Sequence, residues 1–466
     1  MNLFQEEKNK LLESFIDRYQ RKADAVEIII SSECNQACEY CYLFKHGHKM
    51  YPKESNKKEN ILNNLKVFLD YLYEKEFEFK SFDLFSGEFF QLDFWENIFE
   101  IIYNHPIAKQ KLAKERILSI PTNFSFLLEE GEAEKIEKWI IKFHEDTNIE
   151  MFLSCSVDGP EELEELERPI KGYPQIKQKD FYQKMFNFLK KYNFTPHPMI
   201  TKNFVLNYKQ NYDFWIDNIM ENNNTFIRNE QRLYNIPMFL EVRDPDQWDS
   251  PEVLEKYREF LFYMAEKDLH SYHNGNLEEF AMHMADDFSD YMAELGKYNK
   301  VQPYLIGIPD LVLKIPCSIQ SGMVCRIGDL ALVPCHRTCY PNMIYGKFKL
   351  NENKDKIIGV EGDKVSLAHK IQTCNPNRSY LNCSDCEIKA FCIKGCLGSQ
   401  YEHTGELFRA QENVCNMLKT KYITIHEICE KYKIYDIIND NMSIPEERRR
   451  TINYARECLS RLQRSY

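Results

Sequence analysis

The chain has 466 residues, a formal net charge of −12 and 43% hydrophobic residues. This length exceeds that of a typical single domain, and the acidic balance argues against a general nucleic-acid-binding protein, because neutralising phosphates requires clustered lysines and arginines. No window approaches the length of a membrane-spanning apolar segment. The amino-terminal residues also lack the basic region and apolar core of a signal peptide. We therefore expect a cytoplasmic protein with no nucleic-acid or membrane partner.

Six short apolar segments alternate with helical segments along the first half of the chain. The intervening stretches, such as ENILNNLKVFLDYLYEKE and EKIEKWIIKFHEDT, have helical apolar spacing. Because parallel neighbouring strands need a crossover helix, this alternation predicts an α/β protein with a partial (β/α)6 TIM-like barrel. An open doubly wound sheet is the alternative, since periodicity does not distinguish the two. The predicted strands are residues 25–31, 81–86, 117–122, 150–157, 197–201 and 237–242.

Polar and turn-forming residues follow the predicted strands at their carboxyl ends, the edge where barrels of this kind hold their active sites. The first five strands lead into a cysteine triplet, Gly87-Glu88, Asn123, Asp158-Gly159-Pro160 and Lys202-Asn203. Each of these is ordinary turn chemistry when taken alone. Their occurrence at successive strand ends predicts one site at this edge.

The sequence divides into five predicted regions. Beyond the barrel, the sequence first becomes helical and then rich in clustered cysteines with little secondary structure, as in a domain held by metal. The basic carboxyl-terminal segment is interpreted as a solvated helix, with docking of an acidic peptide as the alternative. The regions are an amino-terminal helical extension (1–24), the barrel (25–245), a helical connector (246–310), a cysteine-rich domain (311–420) and a helical tail (421–466).

The sixteen cysteines are unevenly distributed: three fall in residues 34–41 and ten in residues 317–415. A reducing cytoplasm disfavours disulfides, and cysteines at short spacings in such a protein are typical of metal binding. We therefore predict two metal-binding regions. The isolated Cys155, Cys429 and Cys458 are interpreted as ordinary thiols.

The first cysteine group, Cys34, Cys38 and Cys41, has the spacing Cys-x3-Cys-x2-Cys on a loop leaving a strand. Three thiolates can hold three irons of a [4Fe–4S] cluster and leave the fourth iron open to a small molecule. The alternatives are a zinc site with a distant fourth ligand, or buried free thiols. An electron-transfer or structural iron–sulfur protein is the non-enzyme hypothesis, although such a protein would close all its clusters.

This spacing, followed by the aromatic Tyr42, resembles the signature of the radical S-adenosylmethionine (SAM) superfamily. The resemblance implies that SAM is cleaved to methionine and a 5′-deoxyadenosyl radical, which abstracts hydrogen from a substrate. Ser86-Gly87-Glu88 is similar to the family's Gly-Gly-Glu motif, with serine in place of the first glycine. Arg168 is expected to pair with the SAM carboxylate. The implied SAM contacts are Tyr42, Ser86, Gly87, Glu88, Thr122, Asn123, Ser156 and Arg168.

The second cysteine group contains CSDCEIKAFCIKGC, with the spacing Cys-x2-Cys-x5-Cys-x3-Cys. A pair of ribbon-type zinc sites is the alternative, but the spacing fits no common zinc finger. The segment resembles the SPASM domain of radical SAM enzymes that modify peptides. The resemblance implies two auxiliary [4Fe–4S] clusters, with Cys339 and Cys374 as extra cysteines. The implied ligands are Cys317, Cys325, Cys335 and Cys396 for the first cluster, and Cys383, Cys386, Cys392 and Cys415 for the second.

The resemblance implies three [4Fe–4S] clusters, SAM and a peptide substrate, with a flavodoxin or ferredoxin-type reductant. The expected reaction is oxidative formation of a thioether or carbon–carbon crosslink in a ribosomally made peptide. Formylglycine formation, as in sulfatase-maturing relatives, is the alternative. That branch has an aspartate base where this chain has His336, which we take as the candidate base. Only about 24 residues precede the first strand, which is too few for a leader-binding winged helix. We therefore expect that a leader peptide is bound by a separate protein or by the barrel surface, or that the substrate has no leader.

Overall fold

The computed structural model describes most of the chain. Cys317 and Cys374 lie outside the described residues. The described residues are 3–21, 25–110, 116–169, 178–192, 194–220, 237, 239–272, 275–285, 322–362, 370, 380, 382–386, 388, 392 and 395–465.

The six predicted strands are confirmed, and they are parallel and in sequence order. The first four pair successively, the last two pair with each other, and a bridge between Cys155 and Pro196 joins the two sets. Because the order never reverses, the arrangement is a partial barrel rather than a doubly wound sheet. The strands are β1 (Ala25–Ile29), β2 (Ser81–Phe85), β3 (Arg116–Thr122), β4 (Ile149–Cys155), β5 (Met199–Ile200) and β6 (Leu240–Glu241).

Helices cover the outer face of these strands. In β1, Val26 and Ile28 belong to the main hydrophobic core, whereas Glu27 points to the opposite face, inside the barrel. The helices up to the end of the barrel are α1 (Leu3–Phe15), α2 (Tyr42–Met50), α3 (Lys58–Glu74), α4 (Trp95–Asn104), α5 (Pro106–Lys109), α6 (Glu132–Asp146), α7 (Glu161–Glu167), α8 (Gln178–Tyr192), α9 (Lys202–Leu206) and α10 (Tyr208–Trp215).

The cysteine-rich region contains more regular structure than the sequence predicted. Four strands, β7 (Gly322–Arg326), β8 (Ala331–Val333), β9 (Gly346–Leu350) and β10 (Ile357–Gly362), extend the barrel sheet to eight strands. β7 pairs in parallel with β1, and the next three strands follow in antiparallel order. These strands are short, and the first pairs with a partner far away in the chain, so local sequence patterns did not indicate them.

A second hydrophobic core lies among the helices that follow the barrel. At its partly exposed edge, Arg258 of the connector pairs with Glu427 of the tail at 2.9 Å. Among the described helices, none combines the length and apolar character needed to cross a membrane. The helices are α11 (Pro251–Ser271), α12 (277–285), α13 (Leu397–Thr404), α14 (Glu412–Lys431), α15 (Ile434–Asp440) and α16 (Glu446–Ser465).

Candidate active site and auxiliary cysteine sites

The loop between β1 and α2, residues 30–41 (here the cysteine loop), carries Cys34, Cys38 and Cys41. The Cys41 N–H donates to the Cys38 carbonyl at 3.0 Å. Burial raises the pKa of the Cys38 thiol to about 12. The nearby Arg168 lowers this pKa, and Cys41 raises it further. Since metal ligation requires the thiolate, bound positive charge is needed to ionise such a thiol, as iron in a cluster provides. Three thiols on one stretch of eight residues are the donor set that a [4Fe–4S] cluster with one open iron takes, so these three cysteines fit the predicted cluster.

The loop after β2 packs directly on the cysteine loop. The N–H of Gly87 donates to the Ser31 carbonyl at 3.0 Å, and that of Glu88 to the Glu33 carbonyl at 2.8 Å. A Cβ atom on Gly87 would lie 2.2 Å from the Glu33 carbonyl oxygen. Only glycine therefore allows the two backbones to approach this closely.

We predict that Gly87→Ala displaces the cysteine loop, because backbone atoms that are fixed by hydrogen bonds cannot move aside cheaply. The free energy of unfolding should fall by about 1–3 kcal/mol, the usual cost of overpacking, and iron should be lost from the Cys34 site. Denaturant unfolding and iron analysis measure the two effects. Gly359→Ala is the control, because its Cβ would meet only a side-chain oxygen of Glu13 at 3.5 Å. Equal stability and iron content in the two variants would contradict the prediction.

Glu88 joins the ends of β2 and β3. Its buried carboxylate accepts hydrogen bonds from Thr122 Oγ1 at 2.8 Å and from the Asn123 N–H at 2.7 Å. Burial raises the pKa of Glu88 to about 7, although these donors oppose the increase. The Asn123 side chain donates to Asn35 Oδ1 at 2.8 Å, which anchors the cysteine loop from a third side. Glu88, Thr122 and Asn123, expected to contact SAM, are thus hydrogen-bonded to one another in this structure.

Arg168 anchors the cysteine loop from the β4 side. Its guanidinium donates to Tyr40 Oη at 2.6 Å and to Gln36 Oε1 at 3.1 Å. The carboxylates of Asp158 and Glu164 lie 3.7 and 3.8 Å from it. Burial raises the pKa of both acids and Arg168 opposes the increase. The structure thereby gathers the Asp158-Gly159-Pro160 turn and the cysteine loop around one buried cation.

Ser86 Oγ and Arg168 Nε are among the buried polar atoms at this edge that make no hydrogen bond with any described residue, and Nε lies 3.8 Å from a carboxylate oxygen of Glu164. Ser86 follows β2 and Arg168 follows α7, so both belong to loops that contact the cysteine loop. A hydroxyl and a guanidinium donor suit the amino and carboxylate groups of an amino acid such as the methionine part of SAM. Ser156 also stands here, with its N–H donating to the Thr122 carbonyl at 2.8 Å. The residues present therefore fit SAM.

Some of the auxiliary cysteines lie near one another. The Cys383 and Cys386 thiolates both raise the pKa of Cys415 further, beyond the larger effect of burial. Cys335 and Cys396 are both adjacent to Arg337, described below. Cys317 of the first predicted set lies outside the described residues.

Cys325 does not join the other cysteines. Its thiol lies in the main hydrophobic core, whereas Val324 next to it faces a third core that contains Val333 and, at its edge, Cys335. Because successive side chains of a strand point to opposite faces, Cys325 and Cys335 lie on different sides of the sheet. The structure therefore separates Cys325 from Cys335, and this geometry gives no support to the predicted role of Cys325 as a cluster ligand. Cys339 is also buried, and its thiol donates to the His336 carbonyl at 3.2 Å.

We predict that Cys325→Ala retains the wild-type iron content, whereas Cys335→Ala loses about four irons per chain, one cluster. The reason is the face of the sheet on which each thiol lies. Iron analysis and the visible absorption spectrum of reconstituted protein measure the difference. Loss of a cluster in both variants would contradict this prediction and restore the sequence-based ligand set.

His336 lies inside the barrel, at the junction with the cysteine-rich region. Its Nδ1 is 2.9 Å from Glu27 Oε2, and its ring stacks on Phe85 with centroids 4.0 Å apart. The Tyr42 ring lies 5.8 Å away. His336 Nε2 makes no hydrogen bond with any residue that the structure describes. Glu27 was not among the predicted site residues. A carboxylate within the apolar run AVEIII was a usable signal, since charged residues are seldom buried without a partner.

Comparison with known proteins gives a match at the level of structure. Neither a protein-family model nor a curated protein matches the sequence. Native anSMEcpe with bound AdoMet aligns with a TM-score of 0.51 at 17% identity, covering 90% of this chain and 100% of that chain. The anSMEcpe complex with AdoMet and the Cp18Cys peptide gives 0.50 at 16% identity, with the same coverage. The chain has the radical SAM/SPASM fold.

The radical SAM/SPASM fold agrees with the architecture predicted from the sequence, a partial barrel followed by a cysteine-rich domain. The structure of Streptococcus suis SuiB bound to S-adenosylmethionine aligns less well, with a TM-score of 0.47 and 12% identity over 88% of this chain and 78% of that chain. The anSMEcpe alignments span that protein completely. The shared fold therefore covers nine-tenths of this chain.

Proposed function

We propose that this protein is a radical SAM enzyme that modifies a peptide or protein. The observation that carries the proposal is the cysteine loop, which the ends of β2, β3 and α7 hold by the hydrogen bonds of Glu88, Asn123 and Arg168. Three thiols on a loop fixed at the carboxyl ends of parallel strands suit a cluster with one open iron. The solved anSMEcpe structures contain AdoMet, and one of them also contains a peptide.

Cys34, Cys38 and Cys41 would hold the cluster, and Ser86, Ser156 and Arg168 would bind SAM. When bound, the reduced cluster and SAM supply a 5′-deoxyadenosyl radical that abstracts hydrogen from the substrate. The chain's own contribution is to fix these groups and to exclude water. The burial of Arg168 serves this purpose, because a guanidinium removed from water binds a carboxylate more strongly.

The cysteine-rich domain would hold two auxiliary [4Fe–4S] clusters. Cys335 and Cys396 belong to the first, and Cys383, Cys386, Cys392 and Cys415 to the second. Such clusters suit a reaction in which the substrate loses a second electron after hydrogen abstraction. A flavodoxin or ferredoxin-type protein would supply the reducing electron, and these partners fit a cytoplasmic enzyme.

His336 is proposed as the group that accepts the substrate proton. Glu27 fixes its Nδ1 at 2.9 Å, which leaves Nε2 to face the substrate, since the hydrogen bond of one ring nitrogen sets the role of the other. Phe85 holds the ring plane by stacking. The proposed reaction is oxidation with formation of a thioether or carbon–carbon crosslink in a ribosomally made peptide, delivered with or without a separate leader-binding protein.

The experiment uses the full chain reconstituted with iron and sulfide under anaerobic conditions. Iron is counted per chain, and 5′-deoxyadenosine is measured by chromatography after addition of dithionite and SAM, without any peptide. About twelve irons, as three clusters require, together with 5′-deoxyadenosine would support the proposal. Zinc in place of iron, or intact SAM, would overturn it. With a candidate peptide, mass spectrometry then separates crosslinking, which removes two hydrogens, from formylglycine, which a hydrazide reagent traps.

A further inference from the structure

Arg337 lies between two cysteines of the first auxiliary site. Its backbone N–H donates to Cys335 Sγ at 3.3 Å, and its side chain is only 15% exposed. Burial acts to lower the pKa of Arg337, but the Cys396 thiolate, followed by Glu402, raises it, and the net shift is upward. Because its stem packs on Gly398, two residues after Cys396, the guanidinium is a buried positive charge beside the segment that carries Cys396.

The chain is shaped to hold this side chain. A Cβ atom on Gly398 would lie 2.7 Å from Arg337 Cγ and 2.9 Å from its Cβ, so the arginine stem occupies the space that glycine leaves in the first turn of α13. One turn later, Glu402 accepts bonds from Arg337 Nε at 2.9 Å and from Nη2 at 2.6 Å. This forked pairing fixes the planar guanidinium in one orientation.

The guanidinium also lies beside the barrel. Its central carbon lies 5.5 Å from the ring centre of Tyr42, the first residue of α2, which follows Cys41 directly. The cation is therefore placed between the start of α2 and the segment that carries Cys396.

The potential of an iron–sulfur cluster depends on the net charge near it, on hydrogen bonds to its sulfurs and on exposure to solvent. Reduction adds a negative charge, which a nearby buried cation stabilises. Resting on the function proposed above, we propose that Arg337 raises the reduction potential of the auxiliary cluster held by Cys335 and Cys396. Glu402 orients the guanidinium and limits this increase by its opposite charge. A higher potential makes this cluster the better acceptor of the electron that the substrate loses.

The test is a potentiometric titration followed by electron paramagnetic resonance. The protein is the full chain with Cys34, Cys38 and Cys41 replaced by alanine, so that only auxiliary clusters contribute. The signal that disappears on the further change Cys335→Ala identifies the cluster concerned. In this background, Arg337→Gln should shift that midpoint to lower potential and Arg337→Lys should keep it near the starting value. Glu402→Gln should shift it to higher potential.

Arg409→Gln is the matched control, because Arg409 pairs with Glu406 at 2.9 Å on the exposed surface after the same helix. The proposal is supported if the midpoint shifts in opposite directions in Arg337→Gln and Glu402→Gln and does not shift in Arg409→Gln. A merely structural role would shift the midpoint of the first two variants in the same direction. Should Arg337→Gln lose the cluster, the midpoint of Glu402→Gln remains as evidence. A shift to higher potential supports the proposal, and no shift or a shift to lower potential contradicts it. Unchanged midpoints with full iron overturn this inference alone. Protein without auxiliary iron overturns it together with the auxiliary part of the proposed function.

Discussion

Replacing Cys34, Cys38 and Cys41 together by alanine is expected to abolish 5′-deoxyadenosine formation and to lower the iron content from about twelve to about eight per chain. The loss should be complete rather than partial, because no other described thiol stands on the cysteine loop to take over ligation. Chromatography of the nucleoside and iron analysis of the same preparation give both numbers. The remaining iron would show that the auxiliary sites load independently of the barrel site.

The matched control for this triple variant is Cys458→Ala, a buried cysteine of the carboxyl-terminal helix. It should keep both the iron content and SAM cleavage. Nucleoside production by the triple variant at the wild-type rate would remove the barrel cysteines from the mechanism. Loss of all iron from the triple variant would instead mean that the auxiliary clusters depend on the barrel site.

Arg168→Ala is expected to lower the free energy of unfolding by about 3–5 kcal/mol, the cost of removing one partner from a buried ion pair. The change leaves Asp158 and Glu164 buried without their cation. It also removes the hydrogen bonds to Tyr40 and Gln36 that hold the cysteine loop. SAM binding should weaken in parallel, because the guanidinium Nε, which makes no hydrogen bond with any described residue, is removed with it. Denaturant unfolding of the barrel and equilibrium binding of SAM measure the two effects.

Arg450→Ala provides the comparison, since Arg450 pairs with Glu446 four residues earlier on an exposed helix surface, with both side chains more than two-thirds exposed. Such a pair is worth about 0–1 kcal/mol. A stability loss in Arg168→Ala no larger than in Arg450→Ala would show that the Arg168 cluster contributes little. Conversely, reduced stability with unchanged SAM binding would assign Arg168 a structural role only.

The barrel was predictable because each of its strands is a local apolar run bounded by turn residues. The cysteine loop, the Gly87 contact and the turn at Asp158 also follow strands directly, so chain order alone placed them at one edge. In contrast, β7 was not predicted, because its place beside β1 depends on a partner far away in the sequence. Cys325 was assigned as a ligand for the same reason: without the strand, the face on which its thiol lies was unknown.

The residue types of the site were predictable from the sequence, but the hydrogen-bond partners of these residues were not. Spacing located Cys34, Cys38 and Cys41, but it gave no indication that Gln36 and Tyr40 between them bind Arg168. Glu88 was predicted as a SAM contact, but the sequence did not indicate that its carboxylate also accepts hydrogen bonds from Thr122 and Asn123. Partners of this kind are set by tertiary packing, which a one-dimensional pattern does not contain.

The parallel pairing of β7 with β1 has a consequence for how the protein is made. The paired residues, such as Val26 and Met323, are about 300 positions apart in the chain. Pairing over such a sequence separation is slow, because the long loop between the strands must close first. Until β7 has left the ribosome, β1 is an edge strand with free N–H and C=O groups, open to association with other chains. The barrel and the cysteine-rich region therefore mature as one unit, and cutting the chain between them would expose the strand that leads into the cysteine loop.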